Sequence, residues 1–441
     1  MFFKNLFHGG IHPREVLGGK STTRHLPIEV APPPATVTIS MIHGVGNPAL
    51  PLVKVGEIVS LGQKIGEASG PISASVHASV SGKVKAVEVR TAATGVPGAV
   101  IVIENDGQDR LDASVVPCED PLALGPAEIA ARVRQAGIVG LGGAAFPTDV
   151  KLSPPKDKPV EMVLLNGAEC EPYLTGDHRV MLENTAAVVM GLKLCMRAVG
   201  AARGVIAVED NKPDAIEALK SAVGSQPGIE VKSLPTIYPQ GGEKQLIQAI
   251  TGRQVPSGGL PADVGVIVVN VATAAQISAS LTTGMPLISR VITVTGQVRN
   301  PKNLRVCIGD SVGRMLDLAG GALPDSEKVV LGGPMTGLSL FELDMPVLKS
   351  TTAVLVMHAS HSAQSPQSNC IRCCHCQNSC PSGLMPMQLD AMVNHDRFAQ
   401  AKEAHAPDCI ECGICTYVCP AHRQLTQSIR VAKREIQKRK L

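Results

Sequence analysis

Eight cysteines near the carboxyl end constrain this chain more than any other feature. They stand in two runs, CIRCCHCQNSCP from Cys370 and CIECGICTYVCP from Cys409, each spaced C-x2-C-x2-C-x3-C and each followed by proline. Three thiolates at this spacing can wrap one face of an iron–sulfur cluster while the backbone between them donates N–H bonds to the sulfurs. The fourth ligand then comes from elsewhere, and in doubled runs the fourth cysteine crosses to the other cluster. This predicts Cys370, Cys373, Cys376 and Cys419 around one [4Fe-4S] centre, and Cys409, Cys412, Cys415 and Cys380 around a second. Pro381 and Pro420 fix φ and present the preceding thiolate from a turn. Zinc would want its ligands grouped as two pairs, and disulfides do not persist in a reducing cytosol, so the doubled pattern reads as two clusters. Cys118, Cys170, Cys195, Cys307 and Cys374 read as buried small hydrophobes. Cys374 stands close enough to Cys373 to compete as a ligand.

A chain of 441 residues is too long for one core and predicts about three or four domains. A net charge of +3 and the absence of Trp leave neither an electrostatic footprint nor stacking platforms for nucleic acid. The opening MFFKNLFHGGIHP lacks the apolar core of a signal peptide, and no run is long enough to span a bilayer, so a cytoplasmic location is expected.

Four units follow from the changes in rhythm. Residues 1–115 hold an irregular stretch to about residue 30, then short alternating β runs divided by glycines, which predict a small barrel or sandwich. Residues 120–285 alternate helical and strand patterns, which predicts a mainly parallel sheet covered on both faces; HRVMLENTAAVVMGLKLCMRAVG reads there as one helix. Residues 286–360 return to β-rich text around one helix. Residues 365–441 carry the cysteine runs, with helical spacing between them and a basic helix, SIRVAKREIQKRKL, at the end. That helix suits a solvated face or docking on an acidic partner or anionic lipid.

Within 120–285, small and polar residues gather where strands end. GIVGLGGAAFPT contains Gly140, Gly142 and Ala145, which formally match a dinucleotide fingerprint. It follows a helix instead of a strand, however, which points to a different glycine cradle. NGAECEPYLTGDHR brings Asn166, Glu169, Glu171, Asp177 and Arg179 into one loop at a strand's carboxyl end, where open α/β sheets bind ligands. YPQGGEKQLI sets Gly241, Gly242, Glu243 and Lys244 at a helix start, an anion-binding geometry. VVNVATA puts Asn270 at another strand end.

Several stretches resemble known families. VGEIVSLGQKIGEA with SASVHASVSGKVKAVEV resembles the biotinyl/lipoyl barrel-sandwich domain, with His77 and Ala78 where carriers have their modified lysine, so a structural or docking role is expected. Residues 286–357 resemble the soluble-ligand-binding β-grasp (SLBB) module. The order GLGGAAFPT, NGAECEP, GGEK, NVAT, β-grasp module and dicluster end resembles the flavin subunit of respiratory complex I. With FHGGIHP, EDNKP, YPQGGEKQLIQAITGRQVPSGGLPADVG and GGPM, the chain is more similar still to the C subunit of the Rnf complex, a membrane-bound ferredoxin:NAD oxidoreductase. The resemblance implies a multidomain α/β protein. It would comprise a β-rich barrel-sandwich domain, a Rossmann-like FMN/NADH domain, an SLBB-like β-grasp domain and a helical dicluster ferredoxin domain.

By the same resemblance, FMN is contacted by Gly140, Gly142, Gly143, Asn166, Glu169, Gly242, Glu243 and Asn270. Phe146 stacks on NAD(H), Glu171 sits near the nucleotide, and Lys151 and Lys244 balance phosphate charge. Lys244 stands where complex I has an acid. The expected partners are the other subunits of a membrane-embedded complex, with ferredoxin reached indirectly, and the expected place is the cytoplasmic side of the membrane.

Nicotinamide exchanges a hydride, two electrons at once, whereas a [4Fe-4S] cluster takes one. A flavin between them converts one into the other, so no general base or nucleophile is needed. A soluble flavin iron–sulfur reductase, such as a cobalamin reductase, and a non-catalytic electron-relay scaffold are the alternatives.

Overall fold

The computed structural model describes residues 7–14, 18–362 and 366–441. Residues 1–6, 15–17 and 363–365, in the expected N-terminal segment and at the start of the cysteine-bearing unit, lie outside that description.

Four apolar runs, Met162–Gly167, Arg203–Glu209, Ile229–Leu234 and Val266–Asn270, form the parallel sheet. Their near-continuous hydrophobicity follows from burial on both faces. Val163, Leu165, Ile206 and Val208 enter one core, while Leu164, Val205, Ala207 and Val268 enter the other. In space the order is 229–234, 203–209, 162–167, 266–270. The chain therefore winds outward from 162–167 through two strands and then returns to its other side for the fourth. Winding reverses between 162–167 and 266–270, and the crevice beyond their carboxyl ends is the topological switch point.

The helix Val271–Thr283 follows the fourth strand and packs on the helix Thr185–Val199. At Gly191 the two approach backbone to backbone, and a Cβ there would overlap the carbonyl of Ala274. The expected single helix over 178–200 is in fact two, Gly176–Glu183 and Thr185–Val199, broken at Asn184, whose φ of −122° is not helical. Long-range contacts set this corner: Glu183 accepts the backbone N–H of Ile28, and Asn184 accepts a bond from Arg305.

The N-terminal β runs form two small sheets around Val37, Ile39, Val59, Ile65, Val84 and Ile101. The segment that would carry an attachment lysine is sealed instead of presented: Ser75, Val76, His77, Ala78 and Ser79 are all buried. Ser79 Oγ donates to the carbonyl of Ile308, 2.6 Å away. The turn thus docks on its neighbours, as the absence of lysine suggested.

Strands Ser289–Gly296, Lys302–Cys307, Ser326–Leu331, Leu338–Ser339 and Ala353–His358 make a mixed sheet with the helix Val312–Leu318 on it. The stretch before residue 30, expected to be irregular, supplies a further strand: Ile28–Val30 pairs in parallel with Lys302–Cys307 at the sheet's edge.

The cysteine-bearing unit is helical, as expected. The basic terminal helix Leu425–Arg439 is solvated on one face only, where Arg434 and Lys438 are exposed. Its stripe of Leu425, Ile429, Ala432 and Ile436 is buried, three of them against Leu384, Leu389 and Phe398, and each large apolar side chain so buried contributes about 1.5–3 kcal/mol. Arg430 and Lys433 pair with Glu411, and Arg439 lies over the Phe398 ring at 4.5 Å.

Candidate functional site

Several loops meet at the switch point. Asn270 caps the helix Val271–Thr283: its side-chain oxygen accepts the N–H groups of Ala272 and Thr273, and its amide donates to Asp177 Oδ2 at 2.6 Å. Glu169 accepts the N–H groups of Asp177 and His178, at 2.9 and 3.3 Å, and so closes the start of the helix Gly176–Glu183. Burial, and next the Glu169 carboxylate, push the Asp177 carboxyl above its ordinary range, against the pull of Asn270 and Arg290. Asn166 donates to the carbonyl of Gly241 at 2.8 Å and accepts the N–H of Ala168, which locks the first-strand loop to the glycine pair before Glu243. Lys151 Nζ lies 2.5 Å from Glu243 Oε1 and donates to the carbonyl of Val268 at 3.0 Å.

The glycine loop overhangs this group. Gly142, Gly143 and Ala144 are exposed, and a Cβ on Gly142 would stand 3.4 Å from the Asn270 side chain. Gly143 has φ +116°, a conformation side chains rarely adopt. Gly140 donates its N–H to the carbonyl of Phe146, and Phe146 is half-buried. Gly242 stands at the N-cap of the helix Glu243–Thr251, where a Cβ would overlap Gln245 Oε1. An open glycine backbone and two helix N-termini at one crevice fit a phosphate-bearing, flat ligand such as FMN.

Two of the expected residues are engaged elsewhere. Lys244 directs its amine to the carbonyl of Pro256 at 3.4 Å. Glu171 bonds Thr336 Oγ1 and accepts the N–H of Met335 at 3.2 Å, in the GGPM turn of the β-grasp unit. Burial pushes the Glu171 carboxyl up, and these donors pull it back. On the other side of the 169–172 loop lies a cavity of about 350 Å³ lined by His12, Lys20, Arg24, Glu209, Lys212 and Tyr238, among others. At its floor Lys212 and Glu209 form a buried ion pair of 2.7 Å.

The cysteines ring two further small cavities. Cys380 lines the same one as Cys409, Cys412 and Cys415, and Cys419 lines the other with Cys370, Cys373 and Cys376; Cys374 is there too, its thiol directed at the carbonyl of Arg372. Four thiols of the doubled pattern about each cavity, with Cys374 a fifth at the outer one where Cys370 and Cys373 are exposed, suit the donor set of a [4Fe-4S] cluster. The first set lies against the rest of the molecule. Tyr238 Oη donates to the carbonyl of Cys412 at 2.7 Å, Gly10 donates its N–H to the carbonyl of Ser379, and Gln245 donates to the carbonyl of Pro381. Tyr238 carried no sequence signal of its own, since only the fold brings its loop to Cys412.

Comparison with known proteins bears on the whole chain. The Nuo51 FMN-binding domain matches residues 133–279, the RnfC barrel sandwich hybrid domain residues 5–108, and the SLBB domain residues 291–339. The C subunit of the Na(+)-translocating ferredoxin:NAD(+) oxidoreductase complex of Acetobacterium woodii is 49% identical over 98% of this chain and 97% of its own length. The chain belongs to the family of Rnf complex C subunits. The corresponding protein of the proton-translocating ferredoxin:NAD(+) oxidoreductase complex of Clostridium ljungdahlii is 42% identical over 97% of this chain and 93% of that protein. That of the ion-translocating oxidoreductase complex of Rhodobacter capsulatus is 40% identical over 98% and 83%. Membership in the Rnf family accounts for the β-rich N-terminal unit, the α/β unit with its crevice and the SLBB unit. Among the described residues no helix is long and apolar enough to cross a membrane.

Proposed function

We propose that this chain is the electron-transfer subunit of a membrane-bound ferredoxin:NAD+ oxidoreductase, exchanging electrons between NAD(H), FMN and two [4Fe-4S] clusters, while other subunits move the ion. The observation that carries the proposal is the switch-point crevice, in which the glycine loop, two helix N-termini, Asn270 and the Lys151–Glu243 pair meet within a family of that activity. When bound, FMN would convert a two-electron hydride exchange into single-electron exchange, and the clusters would accept electrons one at a time.

The chain's own residues would do the positioning. Gly142 and Gly143 admit a phosphate or ring to the backbone, and the starts of the helices at Gly242 and Asn270 supply partial positive charge to it. Lys151, already bound to Glu243, adds charge at the same end, whereas Lys244 belongs to the outer side of that helix turn. Phe146 would offer its ring to the nicotinamide nucleotide. Glu169 accepts the N–H groups of Asp177 and His178, so it holds the start of a helix at the crevice. The inner cysteine set, Cys380, Cys409, Cys412 and Cys415, would hold the centre nearer the crevice. The outer set, Cys370, Cys373, Cys376 and Cys419, would hold the one open to a partner.

The names of the relatives favour this assignment over a soluble flavin iron–sulfur reductase. On this proposal the chain sits peripherally on the cytoplasmic side, held by membrane subunits, with ferredoxin exchanging electrons through them. The experiment is an anaerobic NADH titration of the purified, cluster-reconstituted chain, with flavin and iron analysis. Bleaching of flavin bands followed by loss of cluster absorbance supports the proposal. Clusters without flavin and no response to NADH would leave a relay scaffold.

A further inference from the structure

Two buried cations of the β-grasp unit reach into the glycine loop. Lys349, 1% exposed, donates Nζ to the carbonyl of Gly137 and to the carbonyl of Ser75, each at 2.7 Å. Arg290, 4% exposed, donates Nη2 to the carbonyl of Leu141 at 3.0 Å, and its Nη1 reaches the carbonyl of Lys349. Among the described residues neither makes an ion pair within 4.0 Å; their partners are backbone carbonyls. The Asp177 carboxylate acts on Arg290 only from beyond ion-pair distance, and burying a charge held mainly by carbonyls costs free energy that an apolar side chain of the same volume does not, so these two are poor devices for gluing domains. They are good devices for fixing carbonyls, because N–H donation to an oxygen is short and directional, charge-assisted at Arg290 and, below about pH 7, at Lys349.

The carbonyls they fix are those that set the loop's course. Gly137 opens it at φ +62°, where a Cβ would stand 2.9 Å from Lys349 Nζ and overlap the carbonyl of Ser75. Leu141 immediately precedes Gly142. Its carbonyl is held by Arg290 and its N–H by Thr273 Oγ1 at 2.8 Å, on the helix that Asn270 caps. Beyond the exposed glycines, Val45 donates its N–H to the carbonyl of Ala144 at 3.3 Å. The loop is thus clamped before and after Gly142–Gly143, with those two residues left open.

We propose that Arg290 and Lys349 are positioning residues of the crevice: by gripping the carbonyls of Leu141 and Gly137 they hold Gly142 and Gly143 at the distance from Asn270 that flavin binding requires. This rests on the assignment of the crevice to FMN. The β-grasp unit is then part of the flavin site although neither cation lines it.

The test uses the full chain with its clusters, as Arg290→Met, Lys349→Met and Arg290→Lys, beside Arg305→Met, which removes another largely buried arginine of the same sheet, bonded to Asn184. Amide exchange over 137–146, FMN dissociation constant, flavin midpoint potential and thermal midpoint are measured on each. Arg290→Met and Lys349→Met are expected to speed exchange at Leu141 to Ala144 at least about tenfold and to weaken FMN binding about 10- to 100-fold, the loss of one or two charge-assisted bonds. Arg290→Lys should recover part of both. Arg305→Met should lower the thermal midpoint and change neither. Equal effects from Arg290→Met and Arg305→Met, or no recovery in Arg290→Lys, overturn the inference. If the methionine variants do not fold, Arg290→Lys decides alone: faster exchange at Leu141 supports the clamp and unchanged exchange refutes it. If the wild-type chain takes no FMN, the functional assignment falls while the exchange comparison still decides whether the cations hold the loop.

Discussion

The phenol of Tyr238 and the carbonyl of Cys412 are joined by a hydrogen bond of 2.7 Å between residues 174 positions apart. The backbone of Tyr238 also exchanges hydrogen bonds with Ile11, whose neighbour Gly10 bonds Ser379. The inner cysteine set is therefore tied to the α/β unit both directly and through the N-terminal strap.

Replacing Tyr238 with phenylalanine keeps the ring and removes this bond. The expected loss of stability is about 1 kcal/mol, with the Cys412 carbonyl left short of a buried donor. In an EPR-monitored redox titration one of the two centres should shift its potential and the other should not; equal shifts would contradict the assignment of Cys412 to the inner set alone.

Cys373→Ala and Cys412→Ala should each remove one cluster, lowering iron from about eight to about four atoms per chain. The outer substitution, Cys373→Ala, should leave flavin and NADH binding intact, because Cys373 is exposed and lines a different cavity from Cys412, which Tyr238 contacts. Loss of both clusters in either variant would mean that the two sets fold as one.

Lys349 gives the junction a pH dependence. Burial pulls its ammonium down from 10.5 to about 7. The unfolded chain therefore binds one proton more than the folded chain between about pH 7 and pH 10.5, and stability rises with pH across that window, by at most about 1.4 kcal/mol per unit. Below the window both states are protonated and the slope vanishes. Denaturant titrations at pH 7 and pH 9 should show a larger gain for the wild type than for Lys349→Met; the same gain in both would assign the effect to other groups.

Asn270→Ala removes a helix cap and the donor to Asp177 together. The cap alone is worth about 1 kcal/mol. Asn270→Asp keeps a capping oxygen but sets a second carboxyl against Asp177, which burial already pushes up, so flavin binding followed by fluorescence should be weakened in both variants. A flavin affinity unchanged in Asn270→Asp would remove Asn270 from the site.

How much was legible follows from the range of each interaction. The cysteine runs stand out through covalent spacing alone, and the α/β unit declares itself through strands long and apolar enough to be buried on both faces. Asn166, Glu169, Gly242 and Asn270 were visible because strand ends and helix starts are local events. The engagement of Glu171 with the GGPM turn was not visible, since Met335 lies 164 positions away. The same holds for Arg290 and Lys349, whose partners in the glycine loop lie 149 and 212 positions away. The break at Asn184 escaped a periodicity argument because apolar spacing continues across it, and Ile28 and Arg305 decide it from elsewhere.

The parallel pairing of Ile28–Val30 with Lys302–Cys307 has a consequence for how the chain is made. Glu29 and Lys302 form an ion pair 273 positions apart, so the first strand of that sheet leaves the ribosome long before its neighbour exists. Two whole units must be synthesised in the interval, and the docking of this strand comes late and at the entropic cost of closing a very long loop. A gene fragment encoding residues 286–360 would yield a sheet with the outer edge of Lys302–Cys307 bare and open to association with other chains. Supplying residues 26–32 as a separate peptide should cap that edge, making this unit a natural candidate for split-protein reassembly.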